Sequence, residues 1–243
     1  MEAGSLRVRC MTTTFSEPFL RLTEQHAAWG AEQLEAFNEF LPMGEWSADL
    51  GECLYRQSGR ELRISLLGTF DTDEQSWLWA WANPGFQGSP VVHAAETLRA
   101  YGRTHGLPEL TSELLHLAGH EDPRRAAETL AFAAMGVLGA SGYIGVQANP
   151  SARAYLVPDD PRVPVAEPNA ITLPRVLLTG AGLLGGSARR VVEGYFAHHD
   201  LPVRRAADRM SAGLPDGGTV DVLFDDLDRI ASVHINSGSP AAV

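Results

Sequence analysis

The spacing of apolar residues changes period at Pro42 and Gly44, and that change restricts the fold class more than any other feature of the chain. Over residues 16–42, Phe19, Leu22, Trp29, Leu34, Phe37 and Leu41 fall near one face of a 3.6-residue repeat, which predicts an amphipathic helix. Ser16 suits its N-cap, and Pro18 fits the first turn, where a missing N–H costs nothing. Beyond Gly44 the period is two. Trp46, Ala48 and Leu50 alternate with polar residues, then Leu62, Ile64 and Leu66 alternate with Arg63 and Ser65, and the run from Ser76 to Asn83 closes at Asn83-Pro84-Gly85. A helix followed by an antiparallel meander of about four strands predicts an α+β fold, with a mostly antiparallel sheet carrying helices on one face.

A second helix is expected from Ser89-Pro90 to Gly106, a strand in preference to a short helix over Glu109–Ala118, and a third helix from Asp122-Pro123 to about Gly139. A hairpin is expected over Tyr143–Ala148 and Arg153–Val157. Prolines at 158, 161, 164 and 168 make 158–170 a linker by composition. The predicted organisation is a flexible tail over 1–15, an α+β domain over 16–157, the linker, and a smaller C-terminal α+β lobe over 171–236. That lobe is expected to hold one or two helices (171–199), one strand near 203–213, and a hairpin pairing Val220, Val222 and Phe224 with Ala231, Val233 and Ile235. Residues 236–243 read as a loose tail, and Met11 could be the true start.

All 19 basic residues are arginine. Without lysine there is no Schiff base to a carbonyl substrate or to pyridoxal phosphate, and no P-loop lysine. The net charge of −11 argues against a duplex nucleic-acid partner, which needs a basic face, although Arg204, Arg205 and Arg209 are clustered. No apolar run is long enough to span a membrane, and no signal peptide follows Arg7 and Arg9. Two cysteines, Cys10 and Cys53, with Cys10 in the tail, suit a reducing cytoplasm.

Gly180, Gly182 and Gly185 form a Gly-x-Gly-x-x-Gly motif, which at a strand-to-helix turn would cradle a pyrophosphate. Only residues 206–243 follow the Arg204-Arg205 pair, too few for the further βα units that a dinucleotide fold needs, so the glycines are expected to mark a break between two helices and no cofactor is expected. Glu113 and His116 have the Glu-x-x-His spacing of di-iron helices, with His120-Glu121 nearby, but a second pair is lacking, so no metal is expected. His198-His199-Asp200 reads as a solvated cap of a helix end, and His26 as a hydrogen-bonded core histidine.

Trp77, Trp79 and Trp81 alternate along one predicted strand, so their indoles should share a face. They form either a dense aromatic core under the long helix, with Phe37 and Trp29, or the wall of an apolar pocket that stacks a planar ligand, with Asn83 and His93 at its mouth. The stretch Ser76-Trp77-Leu78-Trp79-Ala80-Trp81-Ala82-Asn83 resembles the signature of an uncharacterised bacterial domain family marked by a Trp-x-Trp-Ala-Trp-Ala-Asn strand, and Gly68-Thr69-Phe70 and Gly142-Tyr143 resemble it too. The resemblance covers roughly 16–157, with a looser fit over 170–236, and implies a single α+β unit without a known activity.

Three functions fit. The first is a small-molecule-binding protein, as a cofactor-independent enzyme of specialised metabolism or a simple binder, acting on an apolar or aromatic ligand held by Trp77, Trp79, Trp81, Asn83 and His93. The second is a protein-interaction or chaperone-like module, by analogy of element order alone. The third is a dinucleotide-dependent enzyme.

Overall fold

The computed structural model describes residues 14–236; Cys10 and the other positions outside that range lie beyond the described residues. Helix α1 (Glu17–Phe40) begins where the Ser16 hydroxyl accepts from the Phe19 amide and ends before Pro42. The Glu109 carboxylate also accepts from the Ser16 amide (2.6 Å) and hydroxyl (3.0 Å), tying the start of α1 to the body of the domain. Strands β1 (Trp46–Asp49), β2 (Leu54–Gln57), β3 (Arg60–Asp71) and β4 (Ser76–Trp79) follow as an antiparallel meander. Then come α2 (His93–His105), the short helix α3 (Pro108–Thr111), β5 (Leu114–His116), α4 (Pro123–Leu138), β6 (Ile144–Asn149) and β7 (Ala152–Pro158). β7 pairs with both β3 and β6, which completes a seven-stranded antiparallel sheet flanked by helices.

A bulge between Leu66 and Gly68 explains how one long strand serves two layers of core. Before it, Leu62, Ile64 and Leu66 pack with Ala154 and Leu156 against Phe37 of α1 and Leu41 just past its end. The extra residue, Leu67, reverses the parity, because side chains alternate by twos. After it Phe70 joins Trp77, Trp79 and Tyr155 under α1, α2 and α4.

Two expectations in this region are corrected. The tryptophan strand stops at Trp79, and Ala80–Ala82 form a 3₁₀ turn closed by the Asn83 amide on the Ala80 carbonyl. Alanines at 80 and 82 favour a helical turn over a pleat, so Trp81 leaves the face that it was expected to share. Glu109–Ala118 is not one strand either: Pro108 opens α3, which docks where Gly102 of α2 has no side chain, since a β-carbon there would stand 2.6 Å from that of Leu110. Only Leu114–His116 form a strand.

The smaller C-terminal region holds α5 (Leu173–Leu184), α6 (Ala188–His198) and a second antiparallel sheet of β8 (Val203–Arg205), β9 (Arg209–Gly213), β10 (Thr219–Phe224) and β11 (Ile230–Asn236). The single strand expected near 203–213 is two, because a turn closed by the Ala206 amide on the Arg209 carbonyl interrupts it. In the last hairpin Val220 and Val222 oppose Ile235 and Val233 as expected, while a bulge sets Phe224 against Ile230 instead of Ala231.

Ala27, Ala28 and Trp29 of α1 share a core with α5, α6 and the second sheet. The proline-rich stretch 158–170 runs against α1: Val163 is buried, and the Gln33 side chain bonds the Pro164 carbonyl and the Ala166 amide. Among the described residues no helix is long and apolar enough to cross a membrane.

Candidate functional site

Gly68 sets the geometry of the tryptophan strand. In register it lies between Tyr155 of β7 and Trp79 of β4, and a β-carbon there would stand 2.9 Å from the Trp77 ring. The missing side chain leaves a slot in which the Trp77 indole lies across β3. Its ring centroid comes 5.2 Å from that of Trp79, edge-on, and 5.0 Å from that of Tyr155. Trp77 and Trp79 are completely buried. The Trp79 indole N–H donates to the Glu109 carbonyl (2.8 Å). Trp81 is half-buried beside this core, under the Arg99 guanidinium at 3.9 Å from its centroid, a cation–π contact. The Asn83 side chain accepts from the Gly85 amide, and exposed His93 lines a different hollow with Ser65, Thr97 and Asp160. The structure therefore brings Trp77 and Trp79 together, leaves Trp81 at the edge of their core, and places Asn83 and His93 outside it.

The aromatic chain continues past Trp77 to a group that was not singled out in the sequence. The hydroxyls of Tyr155 (3.0 Å) and Tyr143 (2.9 Å) both donate to Glu128 of α4, one to each carboxylate oxygen. Glu128 is the sole acid within Pro123–Leu138, an otherwise alanine-rich helix, and that isolation was the signal available in the sequence. Burial, then the Glu128 charge, pushes the Tyr155 hydroxyl up to about 12, and the same two causes raise Tyr143 further. Both tyrosines thus remain proton donors. Glu128 and Tyr143 line a cleft of about 300 Å³ between α1, α4 and α5, walled by Leu34, Phe132, Leu183 and Leu184. Glu35 and Arg125 stand at the same cleft, Glu35 in a bidentate pair with Arg175 (2.6 and 2.8 Å).

A second polar cluster joins α1 to α6. His198 stacks flat on Trp29 (4.1 Å, 4°), and its Nε2 meets His26 Nδ1 at 2.7 Å. Burial, then the neighbouring His198, lowers His26 to about 3; burial, then His199, lowers His198 to about 4. His199 and the Tyr195 hydroxyl both contact the buried Glu32, at 3.1 and 3.2 Å. These histidines are packed between helices and do not cap a solvated helix end. The sequence placed them at the end of α6 but held no sign that α1 would lie across it.

Gly180 and Gly182 lie inside α5, with Gly185 as its left-handed cap (φ +68°). The motif is therefore a helix end, without the preceding strand that a dinucleotide loop requires. Glu113 and His116 are exposed, with His116 in β5, so they do not share a helical face. Among the described residues no three histidine, cysteine or carboxylate side chains converge as a metal site would require.

The fold and this site define an α+β domain built on a buried tryptophan strand whose aromatic chain ends on a tyrosine-held carboxylate. The chain belongs to a family of unknown function, DUF6882, whose model matches residues 20–161, from α1 to just past β7. Neither the curated proteins nor the solved structures compared with it contain a match.

Proposed function

We propose that the protein binds a small apolar or aromatic molecule in the cleft between α1, α4 and α5. One observation carries this: an apolar-walled cleft meets the buried aromatic cluster at Tyr143, where Glu128 is held on both oxygens. Apolar walls with a few fixed polar groups are the usual make-up of a ligand site. Trp77 and Trp79 enter as rigid backing, since they fix Tyr155 and through it Glu128. A cofactor-independent enzyme of specialised metabolism would use the same cleft, with Glu128 as its acid–base group. A cytoplasmic setting suits the free thiol of Cys53.

The test uses N-phenyl-1-naphthylamine, a neutral dye that brightens in apolar surroundings. The expected result is saturable brightening that Ala31→Trp, which fills the cleft from α1, abolishes without lowering the melting temperature. Equal brightening in that variant would sink the proposal. It would instead favour the second reading, a protein-interaction surface, which rests on the exposed Ile171, Leu178 and Leu183 in and beside α5.

A further inference from the structure

We infer that the cleft between α1, α4 and α5 selects organic amines, with the Glu128 carboxylate receiving the ammonium group and Leu34, Phe132, Leu183 and Leu184 receiving the apolar body; this rests on the cleft being the binding site. Both tyrosine hydroxyls donate to Glu128, one per oxygen, so the carboxylate acts only as an acceptor and each oxygen keeps a free lone pair. Its position is held by two rings that are themselves packed in the core, so binding a cation there requires little reorganisation.

Of the two acids among the described residues lining the cleft, Glu128 is the one without an arginine partner. Among the described residues no arginine lies within ion-pair distance of it. Glu35 is taken by Arg175. Arg153 bonds the Gly145 carbonyl (3.0 Å) and Gln147 and reaches the Tyr155 hydroxyl from behind, so that Tyr155 stands between its guanidinium and Glu128. Arg125, one turn before Glu128 on α4, is exposed, where water screens it. A carboxylate beside apolar walls rejects anions by repulsion, and it offers a neutral donor a hydrogen bond but no ion pair. An amine on an apolar body satisfies both parts of the cleft, and the Phe132 and Tyr143 rings line the same space, where aromatic faces favour a cation.

Isothermal titration at pH 7 with phenethylamine, 2-phenylethanol and phenylacetate separates the alternatives, because the three share a ring and differ in charge. Phenethylamine should bind at least tenfold tighter than the alcohol, and phenylacetate most weakly. Glu128→Gln should bring the amine down to about the level of the alcohol and weaken the alcohol far less than the amine, with a thermal melt confirming that the fold is intact. Arg125→Ala, an exposed change that spares the tyrosine contacts, should tighten the amine a few-fold, because it removes a nearby like charge. Equal binding of amine and alcohol, or phenylacetate binding best and weakening in Arg125→Ala, would overturn the amine inference. So would failure of all three where the neutral dye still binds and Ala31→Trp still displaces it, an outcome that leaves the cleft itself standing. Failure of the dye as well removes both.

Discussion

At Gly68 a β-carbon would stand 2.6 Å from the Leu78 carbonyl and 2.9 Å from the Trp77 ring, so the position of one indole depends on a side chain that is absent. Gly68→Ala must push against backbone on one side and a fully buried ring on the other. It should destabilise the protein by about 1–3 kcal/mol, read from a denaturant melt, because close-packed cores yield little to an added methyl. Trp79→Ala removes a completely buried ring and its hydrogen bond to Glu109, and should cost about 3–5 kcal/mol. Trp81→Ala should cost distinctly less, about 1–2 kcal/mol, since that ring is only half-buried and stacks with Arg99. Equal losses at 79 and 81 would contradict the separation of the two rings. The sequence alternation rightly put Trp77 and Trp79 on one face. Alternation alone did not show that the strand ends at Trp79; the sign available was the pair of alanines at 80 and 82, which favour a helical turn. Glu128 was legible only as a lone acid in an alanine-rich helix, because its partners come from β7 and from the residue just before β6, brought there by tertiary packing.

Between elements, α5 and α6 approach α1 closely, and the glycine motif is a product of that approach. A β-carbon at Gly180 would stand 2.6 Å from that of Ala28, whereas one at Gly182 would meet nothing within 4 Å. Gly180→Ala should therefore destabilise by about 1–3 kcal/mol through overpacking. Gly182→Ala should stabilise by about 0.5–1 kcal/mol, because alanine is the better helix former. A phosphate-cradling loop would have made both changes harmful to binding and neither stabilising, so paired melts decide the matter. The sequence found the motif and its helical flanks; what it lacked was the partner helix that makes one glycine necessary and the other dispensable. The same interface carries a pH dependence. His26 and His198 face each other, with Arg190–Glu24 and Arg205–Glu193 ion pairs nearby and Glu32 bonded to His199 and Tyr195. Their folded values, about 3 and about 4, lie below the ordinary 6.5, so the unfolded chain takes up protons first. The stability that they contribute is complete above about pH 6.5 and is lost as pH falls towards 4 and 3. For His26 alone that amounts to about 2 kcal/mol between pH 7 and pH 5. His26→Gln should flatten the slope of melting temperature against pH over this range; an unchanged slope would place the acid sensitivity elsewhere.

For the molecule as a whole, the question is whether the region beyond residue 170 is a lobe that merely follows the first or a part of its core. α1 is buried on two sides. Phe19 and Leu22 face the large sheet, while Ala27, Ala28 and Trp29 pack with Leu177, Val192, Tyr195 and Phe196 of α5 and α6. The proline-rich stretch between is itself held to α1 through Gln33. Its composition reads as a linker, but its contacts argue that the parts before and after it melt together. A chain ending at residue 170 would uncover Trp29 and its neighbours and leave Glu32 without Tyr195 and His199. Each large apolar side chain returned to water costs about 1.5–3 kcal/mol, and a buried carboxylate stripped of its partners adds to that. The truncated chain should therefore melt well below the full one, bind apolar dye at its uncovered α1 face, and self-associate on gel filtration. In the full chain, one melting transition should be seen by both circular dichroism and the fluorescence of the buried tryptophans. A truncated chain that stays monomeric with the full chain's stability would show that the second face of α1 is dispensable. The residue-170 boundary would then separate two independent domains.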